Sequence, residues 1–284
     1  MVIEVDYTNI LIAALSFAAI GAVIGLLLAI ASKAFAVPVN EKAEKITSVL
    51  PGANCGGCGY SGCAALAEAI AEGKAKPGAC TVGGDETAEK VAAILGVKAE
   101  KTVRMRAQVM CSGTPQLAKK KYIYNGIPDC RAAMQLGGGD KLCPNGCIGL
   151  GSCASKCPFG AIAIVDGVAV VDYHKCRGCG VCVATCPKKI IRLVPFESRI
   201  WVGCSSVEKG AVTRTYCAVG CISCRMCEKA CEYGAIKVNN FLASIDYDKC
   251  VGCGKCASVC PRKIIFSPEL QEVGSGFQAE VKNQ

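Results

Sequence analysis

The chain has 284 residues, a length that allows two or three small domains and excludes one large enzyme core with accessory domains. Its 24 cysteines lie in tight runs such as CRGCGVCVATCP, where neighbouring thiols sit too close to pair, so a secreted disulfide scaffold is excluded. The formal charge of the chain is +9. A [4Fe–4S] cluster with its four thiolates carries about −2, so five or six bound clusters would change the total to about −1 or −3. Nucleic acid is therefore not expected as a partner.

An uncharged, apolar run opens the chain. Residues 10–31 are rich in Leu, Ile and Ala and are long enough to cross a lipid bilayer as one helix. A cleaved signal peptide is the rival interpretation, but Glu4 and Asp6 stand where a signal peptide is basic, and the run exceeds the usual length. Because Lys33 follows the run, the positive-inside rule predicts a single-pass protein of the cell membrane with its cluster domains in the cytoplasm.

A glycine-rich cysteine motif follows a helix predicted at 41–50. The glycines between its cysteines allow positive φ and let backbone N–H groups approach sulfur. The third cysteine opens an alanine-rich helix, and residues 85–96 predict an amphipathic helix that closes the module. Four cysteines without a nearby histidine predict one [4Fe–4S] cluster. This site 1 consists of Cys55, Cys58, Cys63 and Cys80.

A strand is predicted at 101–110, and after it the chain repeats itself at an offset of 74 positions, from about residue 122 to 195 and from 196 to 270. Hairpins with turns at Asp166 and Gly167 and at Asn239 and Asn240 are predicted inside the two repeats. The offset pairs Cys130 with Cys204, Cys143 with Cys217, Cys147 with Cys221, Cys153 with Cys227 and Cys157 with Cys231.

Each repeat carries the C-x2-C-x2-C-x3-C-P run of bacterial two-cluster ferredoxins, in which the fourth cysteine binds the cluster of the other half. This crossed pattern predicts three complete iron-binding [4Fe–4S] sites. Site 2 consists of Cys157, Cys176, Cys179 and Cys182; site 4 of Cys221, Cys224, Cys227 and Cys260; and site 5 of Cys231, Cys250, Cys253 and Cys256.

One further site lacks a sulfur, because Leu150 stands where repeat 2 has Cys224. Repeat 1 also owns a cysteine that repeat 2 lacks, Cys111, and this one-for-one exchange favours Cys111 as the missing ligand. Cys143 is the competitor, although its twin Cys217 occurs where no ligand is missing. A three-iron cluster without a fourth ligand stays open as well. Site 3 is therefore predicted as Cys147, Cys153 and Cys186 with Cys111 or Cys143.

Four cysteines remain if Cys111 completes site 3, two from each repeat. Twenty-four cysteines divide into six sets of four, so a sixth cluster between the repeats stands beside the simpler interpretation of unligated buried thiols. The residues of this predicted sixth set are Cys130, Cys143, Cys204 and Cys217.

Several cofactor signatures are absent from the sequence. There is no C-x-x-C-H for haem, Gly137 to Gly139 do not form a dinucleotide-binding G-x-G-x-x-G after a strand, and no nucleophile and base stand together. The expected cofactors are five or six [4Fe–4S] clusters, without flavin, haem or NAD. The pattern therefore predicts an electron carrier with no catalytic site of its own.

A membrane helix, the motif LPGANCGGCGYSGC and C-terminal ferredoxin motifs, in that order, resemble the B subunit of the Rnf electron transport complex over essentially the whole chain. The resemblance implies a subunit of an ion-translocating ferredoxin:NAD oxidoreductase that receives electrons from soluble ferredoxin and passes them toward membrane subunits while Na⁺ or H⁺ is moved. It also implies that site 1 is the membrane-proximal cluster. Two alternatives stay open: an anchored polyferredoxin of another membrane oxidoreductase, such as a hydrogenase, and a zinc-binding interaction module.

The predicted fold class is α+β, with one transmembrane helix, a small helical iron–sulfur module and two tandem ferredoxin-like domains. The predicted boundaries are 1–32 for the anchor, 33–98 for the module, 99–195 for repeat 1, 196–270 for repeat 2 and 271–284 for a tail.

Overall fold

The computed structural model describes residues 7–34, 40–99 and 103–267, and the predicted tail lies outside them. The chain divides into two compact units, residues 1–41 and 42–284. The first unit contains helix α1, Tyr7–Ala34, as the apolar run predicts. Its segment Leu15–Lys33 is long and apolar enough to cross a membrane by length and composition, and none of it is buried inside the structure.

Three helices build the module at the start of the second unit. They are α2 (Glu41–Val49), α3 (Cys63–Ala71) and α4 (Gly84–Leu95), which confirms the three predicted helices. Helix α4 ends at Gly96, whose left-handed φ of 72° closes the helix. The helices enclose a small core of Ile46, Leu66, Ile70 and Val91, all nearly inaccessible to solvent.

Repeat 1 consists of two antiparallel strand pairs and short helices, in the chain order β1 (Met105–Val109), α5 (Cys130–Gln135), α6 (Ser152–Ser155), β2 (Ile162–Val165), β3 (Val168–Val171), α7 (Val181–Thr185) and β4 (Ile191–Pro195). Strand β1 confirms the predicted strand and pairs with β4, and β2 pairs with β3 as the predicted hairpin. The strands enclose a core of Val, Ile and Ala into which the cysteines of sites 2 and 3 also project.

Repeat 2 has the same two pairs in a shorter form. Its elements are β5 (Trp201–Val202), α8 (Gly210–Tyr216), α9 (Met226–Lys229), β6 (Ile236–Asn239), β7 (Leu242–Ile245), α10 (Lys255–Ser258) and β8 (Ile265–Phe266). Strand β5 pairs with β8 and β6 with β7. The second predicted turn is wrong by one residue: Asn239 pairs with Leu242, so the turn residues are Asn240 and Phe241, with φ of 48° and 61°.

The predicted gap-free pairing of Cys130 with Cys204 is also wrong. Val109 pairs with Ile191 in repeat 1, and Val202 pairs with Ile265 in repeat 2, so β1 and β5 are equivalent strands. The cysteine that follows β1 is Cys111. Its structural counterpart is therefore Cys204, which follows β5 at the same distance.

Repeat 1 thus contains an insertion. Cys111 stands 36 positions before Cys147, whereas Cys204 stands only 17 positions before Cys221, so repeat 1 carries 19 additional residues here. The inserted chain includes Cys130 and helix α5. Cys130 stands 74 positions before Cys204, the same offset as the other cysteine pairs, only because of the length of this insertion.

The two repeats pack through aromatic and cationic side chains. Trp201 stacks on Phe266 with ring centroids 5.2 Å apart and meets Tyr173 of repeat 1 edge-on at 6.3 Å. The buried Arg106 guanidinium lies 4.0 Å from the centre of the Tyr173 ring and 5.7 Å from that of Trp201. Arg106 also donates to the carbonyl oxygen of Ser198 at 2.6 Å. These contacts join repeat 1 to the start of repeat 2 around β5.

Candidate iron–sulfur sites

Two of the predicted sets each line one cavity with all four cysteines. Site 1 surrounds about 310 Å³ of open space in the module, between the glycine-rich loop and the start of α3. Asn54 fixes this loop, because its side-chain oxygen accepts the backbone N–H of Cys63 at 2.8 Å. Site 5 surrounds about 350 Å³ in repeat 2.

Sites 2 and 4 are also brought together as predicted from the crossed motif. Burial raises the pKa of Cys182 to about 12, and the nearby sulfurs of the other three site 2 cysteines raise it as well. Burial likewise raises the pKa of Cys227 to about 12, with further contributions from the other three site 4 cysteines. Cys182 and Cys227 thus each lie near their predicted partners, including the one from the opposite half of the repeat.

The structure groups the cysteines around site 3 differently from the prediction. Its three predicted cysteines line a cavity of about 340 Å³, and the fourth sulfur there belongs to Cys130, whereas Cys111 and Cys143 line a different cavity. Cys130 reaches the site because Asp129 caps helix α5 and also accepts the hydroxyl of Ser152 at 2.8 Å. Ser152 in turn accepts the backbone N–H of Cys130 at 2.6 Å, next to Cys153. The site 3 set in the structure is Cys130, Cys147, Cys153 and Cys186.

The predicted sixth set also differs in one residue, because Cys111 takes the place of Cys130. A cavity of about 360 Å³ lies between the repeats, and Cys130 does not line it. Its place is taken by Cys111 at the end of β1. We call the resulting set the inter-repeat site; it consists of Cys111, Cys143, Cys204 and Cys217.

Backbone N–H groups point at sulfur in equivalent places of the two repeats. Cys157 accepts from Ala161, and its counterpart Cys231 accepts from Ala235, each at 3.3 Å. Such hydrogen bonds stabilise thiolates and adjust the potential of a cluster bound to them. At Cys231 the N–H groups of residues 233–236 outweigh burial and lower the pKa of the thiol.

The donor sets fit [4Fe–4S] clusters. Each of the four cavities presents four sulfurs, and no carboxylate or imidazole lines any of them. A zinc ion binds sulfur ligands that each lie about 2.3 Å from the metal. Within the described part of the chain, no three His, Cys, Asp or Glu side chains are grouped closely enough to hold one ion. Four spread thiols around a larger space match a cluster of four irons.

The role of Cys130 was missed at the sequence level, although a signal for it exists. The segment Val-Met-Cys-Ser at 109–112 matches Val-Gly-Cys-Ser at 202–205, which aligns Cys111 with Cys204 and leaves Cys130 as the additional cysteine of repeat 1. This match is short, and the longer alignment at offset 74 obscured it.

Three iron–sulfur family models match parts of the chain. Residues 50–82 match a family described as an Fe-S cluster domain, around site 1. Residues 140–187, 175–235 and 220–264 match families described as 4Fe-4S dicluster domains. Cys111 and Cys130 lie outside all of the matched ranges.

Three curated proteins are similar to most of the chain. The B subunit of an ion-translocating oxidoreductase complex from Methanosarcina acetivorans is 42% identical over 87% of this chain and 94% of its own length. The B subunit of the Na⁺-translocating ferredoxin:NAD⁺ oxidoreductase complex of Acetobacterium woodii is 45% identical over 86% and 74%. The proton-translocating counterpart of Clostridium ljungdahlii is 39% identical over 89% and 92%.

Proposed function

Because the chain belongs to the family of B subunits of ion-translocating ferredoxin:NAD oxidoreductase (Rnf) complexes, we propose that it is the multi-cluster electron-transfer subunit of such a membrane complex. The complex is an oxidoreductase and translocase. The observation that carries the proposal for this chain is that its cysteines gather into sets of four around separate cavities. A [4Fe–4S] cluster bound in such a set supplies reversible one-electron transfer.

The chain's own residues hold and separate these sites. We assign five [4Fe–4S] clusters to sites 1 to 5, with Cys130 as the fourth ligand of site 3 in place of Cys111 or Cys143. The crossed ligands Cys157 and Cys186 tie the two halves of repeat 1 together, as Cys231 and Cys260 do in repeat 2. The apolar cores bury six of these cysteines, namely Cys147, Cys153, Cys176 and Cys182 in repeat 1 and Cys221 and Cys227 in repeat 2.

Site 1 lies against site 2, which supports a continuous series from the module into repeat 1. A Cβ atom on Gly57 would stand 2.3 Å from the carbonyl oxygen of Cys179, so only glycine permits this approach of the two loops. Burial raises the pKa of Cys179, and the sulfur of Cys55 is among the further causes. Within repeat 1 the sulfur of Cys182 similarly contributes to the raised pKa of Cys153 in site 3.

Helix α1 and the family together indicate membrane association. We propose that α1 is a single-pass anchor in the cell membrane that contacts lipid, and that the cluster-binding domains lie on the cytoplasmic side. Lys33 in the last turn of α1 supports this orientation through the positive-inside rule. The predicted boundaries at 32, 98, 195 and 270 are retained as proposed domain limits.

A soluble ferredoxin is the proposed electron partner, and repeat 2 offers the most accessible ligands. Cys224 and Cys253 are exposed, whereas the other cysteines are buried or half-buried. Short distances favour electron transfer, so a soluble protein approaches most closely here. The neighbouring Lys255 and Lys249 are exposed cations that suit an acidic partner, although each also faces a carboxylate of this chain.

The alternative of a polyferredoxin for a hydrogenase is not favoured, because the similar proteins are named as B subunits of ion-translocating complexes. The zinc-binding alternative is not supported either, since the described residues form no single-ion group.

Complementation of a strain that lacks the subunit tests the proposal. Membranes of that strain should lose ferredoxin-dependent reduction of NAD, and the full chain should restore it. Cys58→Ala removes a site 1 ligand and should not restore it, whereas Ser61→Ala in the same exposed loop should. Immunoblotting verifies equal amounts of each variant in the membrane. Full activity of Cys58→Ala at equal abundance, or activity without the subunit, would contradict the proposal.

A further inference from the structure

We propose that the inter-repeat site binds a sixth [4Fe–4S] cluster, held by two cysteines from each ferredoxin-like repeat. None of the dicluster motifs supplies this set, because it combines cysteines that precede the first motif of each repeat. The inference rests on four observations: the equivalence of the two cysteine pairs, the cavity between them, the cations around it and its contacts with sites 3 and 4.

The four cysteines form two structurally equivalent pairs. Cys111 and Cys204 follow the equivalent strands β1 and β5, and Cys143 and Cys217 each stand four positions before the first motif cysteine of their repeat. Two similar domains that pack face to face bring equivalent residues to their common boundary. The duplication therefore accounts for a site of four thiolates at that boundary. The alignment at offset 74 does not show this, because it pairs Cys204 with Cys130 instead of Cys111.

The inter-repeat cavity resembles the other predicted sites in size and in its lining by four cysteines. The space within it, partly open to solvent, is about 360 Å³, compared with 310 to 350 Å³ at sites 1, 3 and 5. An ideal Cβ on Gly113 would be 3.6 Å from the sulfur of Cys217 and 3.8 Å from that of Cys111. Sulfurs from different repeats thus flank one point, and the glycine keeps that point free of a side chain.

Hydrogen bonds between the repeats close the cavity. The inserted segment of repeat 1 pairs with repeat 2 on both sides of Cys217: Lys119 donates its backbone N–H to Tyr216 at 2.8 Å, and Ala218 donates to Leu117 at 2.7 Å. On the other side, the hydroxyl of Ser205 donates to the carbonyl oxygen of Met110 at 2.8 Å. The insertion therefore does two things: it supplies Cys130 to site 3 and covers the inter-repeat site.

The charges around the cavity suit an anionic group. The buried Lys141 lines the cavity, where its ammonium donates to the carbonyl oxygen of Gly113 at 2.7 Å. Arg262 donates to the carbonyl oxygen of Cys217 at 2.7 Å. Four thiolates that hold a cluster would make a negative site beside these two cations.

The inter-repeat site is also hydrogen-bonded to one neighbouring site in each repeat, in the same way on both sides. The backbone N–H of Cys147 in site 3 donates to the sulfur of Cys111, and the N–H of Cys221 in site 4 donates to the sulfur of Cys204, each at 3.3 Å. Each repeat thus links one of its own motif ligands to the inter-repeat site. With this set occupied, the inter-repeat site joins site 3 of repeat 1 to site 4 of repeat 2.

Metal analysis of the full-length, anaerobically purified chain tests the proposal. Six clusters require about 24 irons and about 24 acid-labile sulfides per chain. About 20 of each, with or without one zinc, would overturn the sixth site. That result would leave the proposed electron-carrier role intact, because sites 1 to 5 account for 20.

Paired variants make the test specific to these four cysteines. Cys204→Ala with Cys217→Ala should lower the content by about four irons, and Cys111→Ala with Cys143→Ala should lower it equally. The variant with all four substitutions should lose no more than either pair, because one cluster cannot be lost twice. Thr215→Ala, an exposed position two residues before Cys217, should retain every iron. Unchanged iron in both pairs, or additive losses in the quadruple variant, would overturn the assignment.

Discussion

Replacing Cys130 with alanine should leave site 3 with three cysteine ligands. The structure predicts that the backbone survives this change, because the hydrogen bond from residue 130 to Ser152 uses the main-chain N–H and alanine is a favourable helix residue. The iron that loses its thiolate is then held by sulfide alone and should be lost on mild oxidation. A three-iron cluster should remain at Cys147, Cys153 and Cys186.

The expected change is one iron among about 24, about 4% of the total, which is too small for bulk metal analysis. Electron paramagnetic resonance resolves it, because an oxidised three-iron cluster is paramagnetic whereas an oxidised [4Fe–4S]²⁺ cluster is silent. Cys130→Ala should therefore show about one spin per chain after mild oxidation, against essentially none in the wild-type protein.

A second substitution distinguishes ligand loss from general damage. Leu150→Cys places a sulfur at the position that Cys224 occupies in repeat 2, and it should abolish the three-iron signal of Cys130→Ala. If Cys130→Ala shows no signal, or if the wild-type protein already shows it under strictly anaerobic conditions, Cys130 is not the fourth ligand.

Four other outcomes are expected. Deleting residues 1–32 should give a brown protein that stays in the supernatant after ultracentrifugation, whereas the full chain sediments with membranes. Arg106→Ala removes buried hydrogen bonds and ring contacts, so it should lower the free energy of unfolding by about 2 kcal/mol. The thermal midpoint of cluster loss should then fall by about 4–8 °C. Arg104→Ala, at an exposed position, should change this midpoint by less than about 3 °C. Gly57→Ala should separate the two loops and raise amide hydrogen exchange around Cys179. The purified, flavin-free chain should not oxidise NADH, as absorbance at the NADH band would show.

Local patterns were sufficient to predict most of the fold. The helices of the module, strand β1 and the strands of both hairpins follow from periodicity and turn residues, and motif spacing alone gives the four cysteine sets proposed for sites 1, 2, 4 and 5. The motif works because its ligands lie within a few residues of each other or in the opposite half of the same small domain. The turn at Asn240 and Phe241 could also have been placed, since it stands 74 positions after Asp166 and Gly167.

The exchange of Cys111 and Cys130 was missed, because its only sequence signal is the short match between residues 109–112 and 202–205. Both cysteines lie outside the motifs, and their destinations depend on how a 19-residue insertion folds between two domains. Asp129 and Ser152 direct Cys130 into site 3, a contact across 23 positions of the chain that no local pattern encodes. Cys111 reaches the inter-repeat site only because β1 pairs with β4 and the two repeats then pack together.

An anaerobic titration of the purified full-length chain with reduced ferredoxin tests the electron-carrier role most directly. The visible absorbance of the clusters should bleach as ferredoxin is added, and several electrons should enter each chain before the end point. A colourless protein that contains zinc would contradict the account. So would a brown protein that dithionite reduces while reduced ferredoxin leaves it oxidised.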